Sequence, residues 1–161
     1  MRDDAIREIT EDKKRYLPLL LLADEQESMI DRYLDRGRMF VLEEDGVKAV
    51  CVVTDEGDGI LEIKNLAVEP PLQGRGYGRR LIEYTAQQFG GAFSILQVGT
   101  GDSPLTVPFY EACGFARSHL VRNFFTDHYD RPIFEGGKQL TDMVYLRREL
   151  HSGACGGRGK E

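Results

Sequence analysis

A chain of 161 residues fits one domain, at about 100–200 residues each, and 41% hydrophobic residues supply one sizeable core without a disulfide or metal staple. The longest apolar run, Leu19 to Ala23, falls far short of the ~18 residues of a spanning helix, which, with 30% charged residues, excludes a helical membrane protein. Lys plus Arg total 21 against 27 Asp plus Glu; the net charge of −6 disfavours phosphate-neutralising nucleic-acid binding and favours a cationic or neutral small partner.

Ile6 to Thr10 is predicted as a short strand and Asp12 to Asp24 as a helix kinked at Pro18. Glu25 to Asp35 follows as a second helix, with Met29, Ile30, Tyr33 and Leu34 at helical spacing. Met39 to Glu43 and Val47 to Thr54 read as strands joined by Glu44-Asp45-Gly46, whose Asp-Gly step signals a hairpin. A third strand, Ile60 to Val68, completes a meander.

After Glu69-Pro70-Pro71 the pattern changes. Gln73 to Gly78 is a glycine-rich loop, and Arg79 to Phe89 a helix with Leu81, Ile82, Thr85, Ala86 and Phe89 as its buried stripe and Gly90-Gly91 as its stop. Phe93 to Val98 is predicted as a buried strand, and Leu105 to Cys113 as a short helix burying Leu105, Phe109 and Cys113. Ala116 to Leu150 supplies two more strands around an aromatic, polar insert from Phe124 to Gly137. Strand, loop, helix and strand in succession give a parallel pair, so the expected fold is mixed α/β. Residues 1–150 are expected to form a single domain and 151–161, with four glycines, a flexible tail.

The third strand is irregular. Leu61 and Ile63 are apolar at odd positions, Leu66 and Val68 at even ones. Either the strand is buried on both faces, or one extra residue near Lys64-Asn65, a β-bulge, restores the phase. A bulge leaves backbone groups unpaired and open to a ligand.

The loop Gln73-Gly74-Arg75-Gly76-Tyr77-Gly78 lies between strand and helix, where glycines let successive N–H groups converge and the helix adds its dipole. Arg75, Arg79 and Arg80 add charge. The physics is that of a diphosphate cradle, with an ordinary tight connection as the plain alternative on glycine count alone. No Gly-Lys-Ser/Thr follows, and Leu81 stands where a dinucleotide fingerprint needs its third glycine.

Gln73, Gly76 and Gly78, as Gln-x-x-Gly-x-Gly, resemble the acyl-CoA signature of the GNAT N-acetyltransferases. Asn65-Leu66-Ala67-Val68-Glu69-Pro70 is similar to that family's fourth strand, and Phe109-Tyr110-Glu111-Ala112-Cys113-Gly114-Phe115 to its Phe-Tyr-x-x-x-Gly-Phe helix end. The likeness runs from about Phe40 to Phe115. Gly99 to Ser103, Phe124-Phe125 and Arg131 to Glu135 resemble a bacterial small-protein branch that includes polyamine acetyltransferases. The resemblance implies a mostly antiparallel central sheet, flanked by helices, whose parallel pair splays apart for the cofactor. It also implies acetyl-CoA as co-substrate, its pyrophosphate on the backbone of Gln73, Gly74, Arg75, Gly76, Tyr77, Gly78 and Arg79, and its pantetheine arm along Leu66, Ala67 and Val68. Asp102 stands where the family often has Asn at the end of the fifth strand, and a carboxylate beside an anionic cofactor is unfavourable.

Acetyl transfer needs a neutral amine, a stabilised oxyanion and a protonated leaving thiolate. A lysine-like amine is only about one part in 10³ neutral at neutrality, and a general base contributes about 10²–10⁴-fold. Glu62 interrupts the apolar run Ile60-Leu61-Glu62-Ile63 eleven residues before Gln73. A glutamate is similarly placed in the histone-acetylating branch of the family, and Glu62 is the candidate base. On bare periodicity it equally fits a solvent-facing position. Tyr110, by resemblance, protonates the CoA sulfur; an aromatic packed in the core is the plain alternative. The oxyanion donor would be a backbone N–H near Leu66 or Ala67, and direct transfer in a ternary complex is expected.

Cys51 and Cys113 read as core thiols, and with Cys155 they lack CxxC spacing, while His119, His128 and His151 lack metal spacing; no metal is expected. Asp127, His128, Tyr129 and Glu135 are candidates for lining the acceptor pocket, and the same insert is equally well explained as a loop packing its aromatics against the sheet. The absence of a basic, apolar leader at the start and of disulfide patterning points to a cytoplasmic protein. The expected activity is acetylation of a small amine or polyamine-like acceptor by a monomer or homodimer, the alternative being a non-catalytic acyl-CoA-binding or sensing module.

Overall fold

Val50-Cys51-Val52-Val53 offers no polar position, and the computed structural model, which describes residues 5–151, shows that both faces of this strand are covered. The strands are β1 (Ile6–Ile9), β2 (Arg38–Glu43), β3 (Val47–Asp55), β4 (Ile60–Val68), β5 (Ile95–Gly101), β6 (Ala116–Val121), β7 (Phe134–Glu135), β8 (Lys138–Gln139) and β9 (Met143–Glu149). The helices are α1 (Leu17–Ala23), α2 (Glu27–Ile30), α3 (Tyr77–Phe89), α4 (Val107–Ala112) and α5 (Phe124–His128). Seven strands form one sheet in the order β1-β2-β3-β4-β5-β9-β6, antiparallel except for β4 with β5, and β7 and β8 form a separate hairpin.

Strand alternation divides the core into two layers. Phe40, Leu42, Ala49, Cys51 and Val53 face Leu81, Ile82 and Phe89 of α3. Met39, Val41, Val50 and Val52 face Leu19 and Leu20 of α1 and Ile30, Tyr33 and Leu34. Leu81, Ile82 and Leu20 are wholly buried, and each such side chain contributes about 1.5–3 kcal/mol relative to exposure.

The predicted first helix divides in two. A 3₁₀ turn over Lys13–Tyr16 precedes α1, and Pro18 kinks nothing: it sits in the first turn of α1, where a missing N–H costs no hydrogen bond. The second helix is regular only over Glu27–Ile30 before turns carry the chain to Gly37, yet Met29, Ile30, Tyr33 and Leu34 are buried as their spacing predicts. At the β2–β3 turn, Asp45 and Gly46 both adopt left-handed φ (58° and 97°), the geometry an Asp-Gly hairpin demands.

The bulge is present. Val52 pairs with Asn65 and Val53 with Ile63, so Lys64 is the extra residue. Leu61, Ile63, Leu66 and Val68 consequently share the α3 side of the sheet. β4 pairs with β5 only from Ile60↔Ile95 to Ile63↔Val98, whereas β5 stays paired with β9 along its whole length. Beyond Ile63 the parallel pair opens into a wedge. From residue 152 onward the expected tail lies outside the described residues, and among those described no helix is long and apolar enough to cross a membrane.

Candidate active site

The wide end of the wedge is met by the start of α3. Gly76 precedes the helix with φ 89° and Gly74 lies at φ 82°, both in the left-handed region that only glycine enters cheaply. Among the described residues no side chain caps α3, and no acidic residue occupies its first turn. The Gly76 carbonyl accepts from the Arg80 N–H at 3.0 Å, which leaves the N–H groups of Tyr77, Gly78 and Arg79 without intrahelical acceptors. Gln73 to Gly76 are exposed. These amides and the helix dipole make an anion site. Gly78 serves packing instead, since a Cβ there would approach Phe109 Cζ to 3.2 Å and Val68 Cγ2 to 3.7 Å.

Gln73 Nε2 donates to the Val68 carbonyl at 3.1 Å and so fastens the loop to the end of β4. Behind it lies a hollow of about 190 Å³ bordered by Leu66, Ala67, Val68, Gln73, Thr106 and Tyr110. The basic trio disperses. Arg79 donates to the Ala112 carbonyl at the end of α4, Arg80 pairs with Glu44 at 3.2 Å, and Arg75 is exposed on the loop. Asp102 turns outward to Arg117 at 3.2 Å.

Tyr110 reaches the wedge by a different helix phase from the one expected. The predicted stripe of Leu105, Phe109 and Cys113 is overturned in part: Leu105 is 62% exposed and Phe109 37%, while Val107 and Tyr110 are buried beside Cys113. The helix begins only at Val107, with Pro108 in its first turn, so Leu105 belongs to the preceding loop. Tyr110, 8% exposed, packs edge-on against Phe109 and Phe115. Burial, reinforced by nearby Cys51 and Cys113, raises the phenol above its ordinary value.

Glu62 is 4% exposed, not on a solvent face. Gln97 Nε2 donates to its Oε1 at 2.7 Å, Arg147 Nε holds Gln97 Oε1 at 2.7 Å, and Lys64 Nζ lies 2.9 Å from its Oε2. The buried charge is therefore compensated. Glu62 opens into a second hollow of about 370 Å³ between the α1–α2 connection and the 124–137 insert. Of the four insert candidates, Tyr129 and Glu135 line it, and Asp127 and His128 do not.

Asp24, Tyr33, Thr100 and Tyr145, none of them named as a site residue from sequence, also line this hollow. Asp24 accepts from Tyr129 at 2.7 Å and from Tyr33 at 2.9 Å, tying the α1–α2 connection to the insert. Burial raises the Asp24 carboxyl above its usual range, with these two hydrogen bonds acting the other way. Only the helical spacing of Tyr33 with Ile30 signalled any of this. The two hollows meet at the wedge and share Ile63, Lys64, Gly99, Thr100 and Glu135.

A family model described as an acetyltransferase (GNAT) domain matches residues 35–117. An uncharacterized N-acetyltransferase of Bacillus subtilis (strain 168), YvbK, is 36% identical over 137 residues, 82% of this chain and 87% of its own. The structure of an IAA acetyltransferase from Bacillus cereus ATCC 14579 superposes with a TM-score of 0.83 at 36% identity, covering 90% of this chain and 98% of the other. A GNAT family acetyltransferase from Elizabethkingia anophelis, solved with acetyl-CoA bound, gives a TM-score of 0.86 at 31% identity over 92% of this chain and all of its own.

Proposed function

Since the chain belongs to the GNAT family of acetyltransferases, we propose that its wedge holds acetyl-CoA, its larger hollow a primary amine, and that the acetyl group passes directly between them in a ternary complex. One observation carries this reading: two parallel strands part after Ile63↔Val98, an uncapped glycine-led helix closes the gap, and hollows from opposite sides meet there.

The residues fit the cofactor. Backbone N–H groups of Gly74 to Arg79 receive the diphosphate, with the Arg75 side chain adding charge; Arg79 contributes its amide, its guanidinium being committed to α4. Gln73 fixes the loop, and the wedge-facing backbone of Leu66, Ala67 and Val68 pairs with the pantetheine arm. Bound acetyl-CoA supplies the thioester carbonyl and the thiol leaving group.

The amine loses a proton to Glu62 through water in the larger hollow, and its nitrogen then bonds to the carbonyl carbon. An N–H near Leu66 or Ala67 receives the negative charge that develops on the carbonyl oxygen. As the carbon–sulfur bond breaks, the Tyr110 hydroxyl gives its proton to sulfur, the new amide nitrogen sheds its remaining extra proton through solvent to restore the Tyr110 hydroxyl, and Glu62 releases to solvent the proton it took from the amine. One ammonium and one thioester become one amide, one thiol and one released proton.

The test is thiol release from acetyl-CoA against a panel of alkylamines, polyamines, aminoglycosides and amino acids. Release that depends on both acetyl-CoA and an amine is expected. Cofactor-dependent thermal stabilisation with no release across the panel would instead identify a binding or sensing module.

A further inference from the structure

The larger hollow is lined by four carboxylates, and three of them are already engaged or peripheral. Asp24 accepts from two tyrosines, Glu62 is held by Lys64 and Gln97, and Glu25 is exposed at the rim. The fourth differs. Glu135 lies on β7, whose Phe134 points outward and is 56% exposed while the carboxylate turns in, the inverse of what stability alone would select. Its Oε1 is buried and, among the described residues, has no hydrogen-bond partner. An unsatisfied buried carboxylate oxygen is costly, and a ligand with N–H donors removes that cost.

The hairpin fixes this placement. Gly136 and Gly137 adopt φ 59° and 78°, forming a two-residue turn. Leu140 packs so closely on Gly101 that a Cβ there would meet its Cδ1 at 2.5 Å, and the Leu140 N–H bonds the Ile133 carbonyl at 2.8 Å. Glu135 thereby reaches the seam where the two hollows join, beside Thr100. Among the described residues, the ionisable side chains bordering both hollows are Lys64 and Glu135, and Lys64 is paired with Glu62. Among the described residues the seam therefore offers one charge without an ion-pair partner, and it is negative; Ser103 hydrogen-bonds the carboxylate but leaves its Oε1 free.

We propose that Glu135 is the carboxylate that receives the acceptor's reactive ammonium, holding its nitrogen at the seam that the acetyl group must cross. The inference rests on the acetyl-transfer reading above. An ammonium carries three donors for a carboxylate oxygen whose lone pairs are unengaged. Burial raises the Glu135 carboxyl, opposed by Ser103; an arriving cation favours its ionised form. The charge of Glu135 also acts on Tyr110, which places the two groups within electrostatic reach.

The test compares wild type with E135Q by calorimetric titration of n-butylamine and spermidine into the CoA-saturated protein, with n-butanol as the neutral isostere, alongside thiol release from acetyl-CoA. Amine affinity is expected to fall roughly tenfold or more in E135Q, as for a charged pair losing one partner, with n-butanol binding unchanged and acetyl-CoA affinity preserved. Equal amine affinity in the two proteins, equal losses for amine and alcohol, or no amine binding by wild type would each overturn the subsite. Amine binding lost in E135Q when wild type shows no turnover would overturn acetyl transfer and keep the subsite. Turnover with unchanged amine affinity would do the reverse.

Discussion

The Tyr110 phenol is enclosed by Val107, Cys113 and Phe115, and that enclosure decides its protonation. Removing it from water disfavours phenolate, so its raised value keeps the proton on oxygen up to and beyond the ordinary value of about 10. For stability the sign follows: the unfolded chain ionises this tyrosine first, so its contribution is intact below about pH 10 and is lost as pH rises past that point. Tyr110→Phe is expected to lower kcat by about 10²-fold or more and leave acetyl-CoA affinity nearly unchanged. The wild-type kcat profile should show no fall assignable to this residue between neutrality and about pH 10. Steady-state kinetics across that range check both; full activity in the phenylalanine variant would remove Tyr110 from the chemistry. At this scale the sequence revealed Glu62 as an interruption of an apolar run. It could not reveal that Gln97 and Arg147, from strands 35 and 85 positions away, would order that carboxylate.

At the scale of elements, the bulge in β4 links folding to function. Lys64 lets four apolar residues share one face and turns the strand away from β5. Deleting Lys64 would give a regular ladder with every other side chain still on its present face, so a folded protein is expected by circular dichroism and thermal unfolding. Its β4 and β5 would continue pairing past Ile63↔Val98, and acetyl-CoA affinity should fall by tenfold or more, roughly the loss of one or two hydrogen bonds to the cofactor. Unaltered affinity in a folded deletion variant would separate the wedge from the bulge. The bulge was legible because a phase change in apolar spacing has few physical causes. The facing of α4 was not, because six residues with a proline in the first turn carry too little periodicity to fix a phase. The hairpin β7–β8, which straddles the end of the predicted polar insert, was not foreseen, although Gly136-Gly137 marks its turn.

At the scale of the whole molecule, one sheet with helices on both faces gives the protein two independent approaches to one gap. The α3 side brings an anion site, and the α1–α2 side, closed by the insert through Tyr129 to Asp24 and through Asp130 N–H to Gln26 Oε1 at 2.8 Å, brings a hollow rich in carboxylates. The mixed α/β class, the meander and the parallel pair were legible from alternation, turn residues and the glycine loop. The wall made by residues 24–26 with 129–130 was not, because nothing local records a contact across more than a hundred positions. All of the proposed chemistry depends on the wedge taking a thioester cofactor. Isothermal titration of the purified chain with acetyl-CoA tests this most directly: saturable one-to-one binding is expected, weakened by roughly tenfold in Gly76→Ala, where a left-handed φ of 89° is strained for alanine. No binding heat at millimolar acetyl-CoA, or equal affinity in the alanine variant, would contradict the account.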